Sequence, residues 1–431
     1  MRDWDATRVA SAAGATVVAA APAGPTRAVV DSREAGPGDL FVGLRGERAD
    51  GGRFASHALE QGTWGVLVSP EHADSTPQPG RGAVLAADDP LSAMQRLATA
   101  WRRELGCPVV GITGSVGKTS TKDLLAAMLA PHRRVVANRQ NWNTEIGLPL
   151  SVLQAPAGTE VLVLEMGMRG AGQIAELAAI AEPDVGVITS VGPVHLELLG
   201  SLEAIAAAKA ELIAALPAGG TAVVPAREPL LEPHLRDDVD TITFGPGGEV
   251  AELPADLGVP FRSAHMRSNT LAALAAARAV GVEPSGEVVV ALSDMRGQRL
   301  MLGGGIVVIN DCYNANPMSM RAALEDLAAS AAGRKVAVLG DMLELGPDEE
   351  RLHAEVGEEA EAAGVAVLVT VGPRAARMAD TFSGEVHEAP DAERAAALVP
   401  DLLLPGDTVL VKASRGVGLE VVAGALETGA G

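Results

Sequence analysis

The chain has 431 residues, room for about three domains of roughly 150 residues each, and its 48% apolar and 21% charged residues exclude both a small cross-linked scaffold and a disordered chain. A net charge of −21 repels nucleic acid and anionic lipid, and aromatic residues at 2% leave almost no material for base-stacking platforms. Nucleic acid is therefore excluded as a partner, and any anionic ligand needs a localised positive site.

Residues 9–26 carry no charge and include AAAPA at 19–23, but Gly14, Pro22 and Pro25 interrupt the run and Asp3 and Asp5 precede it, so it does not read as a secretory signal. The longer uncharged stretches stop short of the roughly 20 residues a spanning helix needs. Cys107 and Cys312 belong to no cluster of metal-ligand spacing, which fits a reducing compartment. The expectation is a cytoplasmic protein without membrane insertion.

In chain order, strand-like runs AVVDSR, GDLFVGL, WGVLVS and GAVLAA lie between 28 and 87, with one helix near 56–62, and give a small α/β N-terminal domain. Leu91, Met94, Leu97, Trp101 and Leu105 recur at helical spacing after Asp88, Asp89 and Pro90, predicting an amphipathic helix over 90–105. The first boundary is set after it, at 105. From 106 to 303 apolar strands (VVGIT, RRVVA, VLVLEM, DVGVITS) alternate with helices, among them 202–216; strands apolar throughout belong to a parallel sheet buried on both faces. From 304 to 431, IVVIND, helix 317–330, KVAVLG, helix 348–363, AVLVTVG and DTVLVKA predict a Rossmann-like, doubly wound sheet. Gly303, Gly304 and Gly305 are the expected hinge between the last two units.

The strongest chemical signal is GITGSVGKTSTK at 111–122, between an apolar strand and a helix-forming segment. The full GxxxxGK[ST] pattern wants Gly at 112, where the chain has Ile; the shorter G-S-V-G-K-T core remains. In a P-loop, the backbone of Gly114, Ser115, Val116, Gly117 and Ser120 with the helix N-terminus cradles phosphate, Lys118 adds a cation, and the Thr119 hydroxyl is placed for magnesium. The reading is a site for a nucleoside triphosphate. Glu165 ends the strand VLVLE, and position alone leaves it open between a solvated carboxylate and a cation ligand. His195 in GPVHLE and Lys209 on helix 202–216 read, by position alone, as a loop histidine and a snorkelling lysine.

TGSVGKTST, NWNTEIGLPLSVL at 141–153, VLEMGMRGAGQI at 163–174 and SVGPVHLELLGSLEAIAAAKAEL at 190–212 together resemble the Mur ligase superfamily. INDCYNANPMSMRAAL at 309–324, VLGDMLELG at 338–346 and VKASRGVGLE at 411–420 narrow the resemblance to the branch that joins D-alanyl-D-alanine to UDP-N-acetylmuramoyl-tripeptide in peptidoglycan precursor synthesis. The resemblance implies three domains, ATP and Mg2+, an acyl-phosphate intermediate and a working monomer. It also implies Lys118, Glu165, His195 and Lys209 as catalytic residues, with Thr119, Glu165, His195 and a carbamylated Lys209 as metal ligands. Asn269, Arg299 and Asp311 would meet the nucleotide, with His265 beside them. Asn141, Asn143, Thr144, Asn314 and Asn316 would border the substrates, and Ser32 and Arg33 of DSR the uridine diphosphate. Asp50, Gly51, Gly52 and Arg53 stand where the family often reads DGH followed by Asp, and receive no role. A sibling ligase that adds a diamino acid, a folylpolyglutamate synthase-like enzyme and a non-catalytic nucleotide-binding module are the alternatives; YNANP, and the lack of a DNPR signature, count against the siblings.

Overall fold

The computed structural model describes residues 1–429 except 48, 77–81, 140, 195, 262 and 292. The first unit comprises β1 (Thr16–Ala19), β2 (Arg27–Val29), β3 (Asp39–Val42), β4 (Gly65–Val68) and β5 (Ala83–Ala86), with α1 (Ala6–Ala13), α2 (Ala55–Glu60), α3 (Pro70–Ser75) and α4 (Pro90–Leu105). Its sheet runs β1-β5-β4-β3-β2, parallel except for β1.

Successive side chains on these strands point to opposite faces, and so divide between two cores. Phe41, Val66 and Val68 pack with Ala55, Ala58 and Ala73 of α2 and α3, whereas Leu40, Val42, Leu67 and Leu85 join a larger core with α1 and α4.

The start signal read at 88–90 acts as expected. Asp89 accepts from Leu91 N (3.0 Å) and Ser92 N (3.3 Å), Pro90 occupies the first turn, and Gly106 ends the helix at φ 62. Trp101 packs edge-on against Trp4 at 5.6 Å, and its Nε1 donates to Ala155 O (3.0 Å) across to the next unit. Arg102 similarly reaches Ala181 O and the Asp184 carboxylate. One apolar core therefore runs from the first sheet through α4 into the second.

The second unit holds β6 (Val109–Thr113), α5 (Lys118–Leu129), β7 (Val135–Ala137), α6 (Gly147–Gln154), β8 (Val161–Glu165), α7 (Gln173–Ala181), β9 (Val185–Ile188), α8 (Leu196–Leu199), α9 (Leu202–Ala214), β10 (Thr221–Pro225), β11 (Asp240–Phe244) and α10 (Ala264–Ala279). Its strand order is β11-β10-β9-β6-β8-β7, all parallel. Val110, Ile112 and Val163 face α5 and α10, while Leu162 and Leu164 face the shared core, so both faces are covered as the continuous apolar runs require. Because β6 is flanked by β8 on one side and β9 on the other, its carboxyl end opens onto the crevice where chain direction switches. A two-residue pair, β12 (Leu257–Gly258) and β13 (Gly286–Glu287), completes this region.

The third unit holds β14 (Gln298–Met301), β15 (Val307–Asn310), α11 (Pro317–Ser330), β16 (Lys335–Gly340), α12 (Glu349–Ala362), β17 (Val367–Val371), β18 (Glu385–Ala389), α13 (Ala392–Leu402), β19 (Thr408–Lys412) and α14 (Glu420–Gly429). The sheet runs β14-β15-β19-β16-β17-β18, parallel except for β14, with α11 and α12 on one face and α13 and α14 on the other. This corrects the expected start at 304 and the hinge at 303–305. β14 already belongs to the third sheet, and the three glycines form the turn of the β14–β15 hairpin, with Leu302 N bonded to Ile306 O and Gly304 and Gly305 at φ 70 and 76. The chain crosses between units before Gln298. Among the described residues, no helix is long and apolar enough to cross a membrane.

Leu97 on α4 is fully buried in the core common to the first two sheets. Leu97→Ala is expected to lower stability by about 2–5 kcal/mol, read from urea unfolding of the whole chain.

Candidate active site

The loop from β6 to α5 is shaped by two glycines at positive φ, Gly114 at 150° and Gly117 at 90°. A Cβ at Gly114 would run into Thr189 Oγ1, and one at Gly117 into Asn269 Oδ1, so backbone flexibility and close approach are both needed there. Ser115 N and Val116 N are tied to Ser190 O and Oγ (both 2.9 Å), which joins the loop after β6 to the loop after β9. Lys118 Nζ donates to Gly114 O (2.7 Å) and is thereby folded over the loop. Burial pushes its pKa down; the Glu165 charge opposes that, and the Arg296 charge adds to it.

Glu165, at the carboxyl end of β8, is buried and fully engaged. Oε2 accepts from Thr119 Oγ1 and Oε1 from Asn143 Nδ2, each at 2.8 Å. Its backbone is clamped by one side chain: Asn138 Oδ1 accepts from Glu165 N (2.8 Å), while Asn138 Nδ2 donates to Glu165 O (2.9 Å) and Trp142 O (2.8 Å). Behind Asn138, buried Lys122 donates to Asn138 O (2.8 Å) and pairs with Asp123 (3.2 Å). Asp123 in turn accepts from Ser293 N and Oγ, both 2.9 Å, on the segment leading to the third unit.

Lys209 on α9 is 1% exposed, far from the snorkelling position its composition suggested. Burial, and secondly the charge of Lys118, hold its pKa well below the ordinary lysine value, and no carboxylate among the described residues pairs with it. His195 lies outside the described residues.

Two cavities meet at this point. A cavity of about 740 Å3 runs between the second and third units, lined by Gly117, Ser120, Asn269, Arg299 and Asp311. His265 also lines it; burial lowers its pKa, and among the described residues its Nδ1 has no partner. Arg299 is held by Asp326 (2.8 Å), and Asp311 by buried Lys412 (2.6 Å), which also donates to Asn314 O (2.9 Å). A second cavity of about 1010 Å3 is lined by Lys118, Glu165, Asn141, Asn143, Thr144 and Asn314. Asn316 borders it too while capping α11, its Oδ1 accepting from Ser319 N (2.9 Å).

Ser32 and Arg33 reach neither of these two cavities. Arg33 instead folds onto Asp31, whose carboxyl is held down to about 2 by that guanidinium. The sequence reading also missed Asn138, Lys122, Arg296, Tyr313 and Lys412. For Lys412 a signal was present: like Glu165, it is a charge ending an apolar strand at a sheet's carboxyl edge.

A cavity over a P-loop, next to a second one lined by a buried carboxylate and by another α/β unit, is the construction of a nucleotide-driven ligase. The Mur ligase middle domain matches residues 112–268, and the Mur ligase glutamate ligase domain matches 295–415. The UDP-N-acetylmuramoyl-tripeptide–D-alanyl-D-alanine ligase of Bacillus subtilis is 37% identical over 91% of either chain. Among solved structures, MurF from Acinetobacter baumannii superposes with a TM-score of 0.85 at 27% identity over 98% of this chain and 99% of its own. MurF from Thermotoga maritima, in complex with ADP, gives 0.80 at 30% identity over 93% and 97%. The chain belongs to the Mur ligase family. Within it, the chain falls among the UDP-N-acetylmuramoyl-tripeptide–D-alanyl-D-alanine ligases.

Two outcomes follow from the loop and the clamp. Gly117→Ala should abolish measurable ADP binding in titration calorimetry, because the added Cβ occupies the space of the Asn269 amide in a backbone conformation that disfavours it. Asn138→Ala leaves Glu165 in place but unclamped, and should lower turnover by about 10–100-fold, the scale of losing a partner that orients a functional side chain.

Proposed function

We infer that this chain is an ATP-dependent ligase that joins D-alanyl-D-alanine to UDP-N-acetylmuramoyl-tripeptide. The observation that carries the reading is the convergence of Lys118 and Glu165 from the second unit with Asn314 from the third around one cavity that adjoins the P-loop. The terminal carboxylate of the tripeptide takes the γ-phosphoryl group of ATP, giving an acyl phosphate. The dipeptide amine then displaces phosphate, so that ADP, phosphate and one amide leave.

Electrostatics sets the difficulty of the first step. A carboxylate approaching a triphosphate meets like charge, at about 4 kcal/mol per unit pair at about 4 Å and an effective dielectric near 20. Lys118 supplies one cation at the reacting end. Magnesium, when bound, supplies the charge neutralisation that lysine alone cannot. The donors fit such an ion: a threonine hydroxyl and a buried carboxylate already touch, both hard oxygen ligands. Thr119 and Glu165 would hold it, joined by His195 and Lys209.

Lys209 takes that part only as a carbamate, since an ammonium would repel a cation. Carbamylation consumes the neutral amine, and a buried lysine beside another lysine provides it at a lower pH than an exposed one would. Asn143 orients the Glu165 carboxylate, and Asn314 and Asn316 offer amides to the peptide groups of the dipeptide. We place the first unit, 1–105, at the uridine diphosphate, with Ser32 beside the ligand and Arg33 turning toward it from its present pairing with Asp31; the second unit, up to the crossing before Gln298, takes ATP, and the third, from β14 onward, closes over it. We take a monomer as the working unit, and a reaction on nucleotide-linked precursors belongs in the cytoplasm.

The test is phosphate release from ATP with UDP-N-acetylmuramoyl-tripeptide, with and without D-alanyl-D-alanine. Release that depends on the dipeptide, and not on a single amino acid, is expected; release indifferent to the dipeptide would defeat the reading. Lys209→Ala should lower that rate by at least about 100-fold, the scale of lost electrostatic stabilisation at a reacting centre. Small carboxylic acids should restore part of it, and 13C-bicarbonate should give a carbamate resonance in the unsubstituted enzyme only.

A further inference from the structure

Arg296 lies on the segment between β13 and β14 and borders three cavities at once. It lines the nucleotide cavity with Gly117, the reactant cavity with Lys118 and Glu165, and a small one of about 120 Å3 with Thr119 and Tyr313. Arg299, which the family resemblance puts at the phosphates, lines only the first of these and is held by Asp326.

The place of Arg296 is fixed from both sides. Three residues earlier, Ser293 is fastened to α5, the P-loop helix, through Asp123. Next to it, Met295 adopts φ 57, a conformation non-glycine residues keep only when their surroundings impose it, and here Tyr313 N donates to Met295 O (3.3 Å). Its guanidinium carbon sits 3.8 Å from the centroid of the Tyr313 ring. Stacking occupies the face of a guanidinium and leaves the in-plane N–H donors open. Among the described residues no carboxylate pairs with Arg296, and its charge acts on Lys118, so two cations are held near each other where a multiply charged anion would satisfy both.

We propose that Arg296 is a catalytic residue, its in-plane donors meeting the phosphoryl group as it passes from nucleotide to carboxylate, with Tyr313 a positioning residue that holds the guanidinium plane. The proposal rests on the ligase reading above. Because the segment is tied to α5 at Ser293 and to the third unit at Tyr313, Arg296 reaches the phosphoryl group only when both units are in place.

The experiment compares Arg296→Gln, Arg296→Lys, Tyr313→Phe and Tyr313→Leu in the full chain, measuring kcat for dipeptide-dependent phosphate release and the Kd for ADP, which lacks the transferred group. Arg296→Gln should lower kcat by about 100-fold or more while ADP affinity holds within about threefold, the pattern of an interaction made at the reacting group. Arg296→Lys should recover only part, since an ammonium lacks the planar fork. Tyr313→Phe, which keeps the ring, should retain more of kcat than Tyr313→Leu. A kcat within threefold of the unsubstituted enzyme in Arg296→Gln, or loss of ADP affinity in step with kcat, would overturn the catalytic role. Full recovery in Arg296→Lys would overturn the part given to the planar fork, and equal rates in the two Tyr313 variants the positioning role. Absence of dipeptide-dependent release in the unsubstituted enzyme is a different failure: it removes the ligase reading, and this inference with it.

Discussion

A buried carboxylate governs this molecule. Glu165 sits at the end of an apolar strand with hydrogen bonds to both oxygens and both backbone groups, so its position is over-determined by Thr119, Asn143 and Asn138. Leaving such a group buried without partners would be costly, and its partners come from two places in the chain: Thr119 from the P-loop helix, and Asn138 and Asn143 from the loop between β7 and α6. The hydroxyl that touches the carboxylate belongs to the residue after Lys118, which is folded over the P-loop. The P-loop and the buried carboxylate are thus built as one unit, and the sheet order that opens a crevice at β6 decides where that unit lies.

Around it, the three sheets are joined unequally. The first and second share a continuous apolar core through α4, with Trp101 and Arg102 reaching across. The third unit keeps two cores of its own, one on each face of its sheet. It faces the second across the cavity of about 740 Å3, where its own wall carries Arg299, Asp311 and Lys412. An interface of that kind, unlike a shared apolar core, can part and re-form without exposing much apolar surface.

Much of this was legible in the chain. The helix at 90–105 was readable because periodicity, cap and stop agree, and the second sheet because apolar runs buried on both faces leave little else to be. The P-loop was readable despite Ile112, since its geometry needs glycine at 114 and 117, where φ is positive, and Ile112 lies in the strand before the turn. The 303–305 hinge fails because a run of glycines signals freedom of φ without saying what for: here the three form a hairpin turn, two of them at positive φ. Lys209 by composition looked like a surface residue; only packing could show it buried. Asn138 and Arg296 were invisible for another reason. Neither sits at a motif position: Asn138 acts by clamping Glu165, 27 residues on, and Arg296 is placed by Tyr313 and by the tie of nearby Ser293 to Asp123, contacts that only the folded chain brings together.

Tyr313 is the sole tyrosine in the chain, and its ring lies under a guanidinium at the meeting point of the reactant cavities. Burial raises the pKa of its phenol, while the neighbouring Arg296 charge pulls the other way, so its spectroscopic environment reports both packing and charge. Fluorine-labelled tyrosine incorporated biosynthetically would consequently give one 19F resonance from the whole 431-residue polypeptide, arising where Tyr313 borders two of the cavities. Composition alone has left this enzyme with a single-site reporter position that needs no substitution elsewhere in the chain to isolate it.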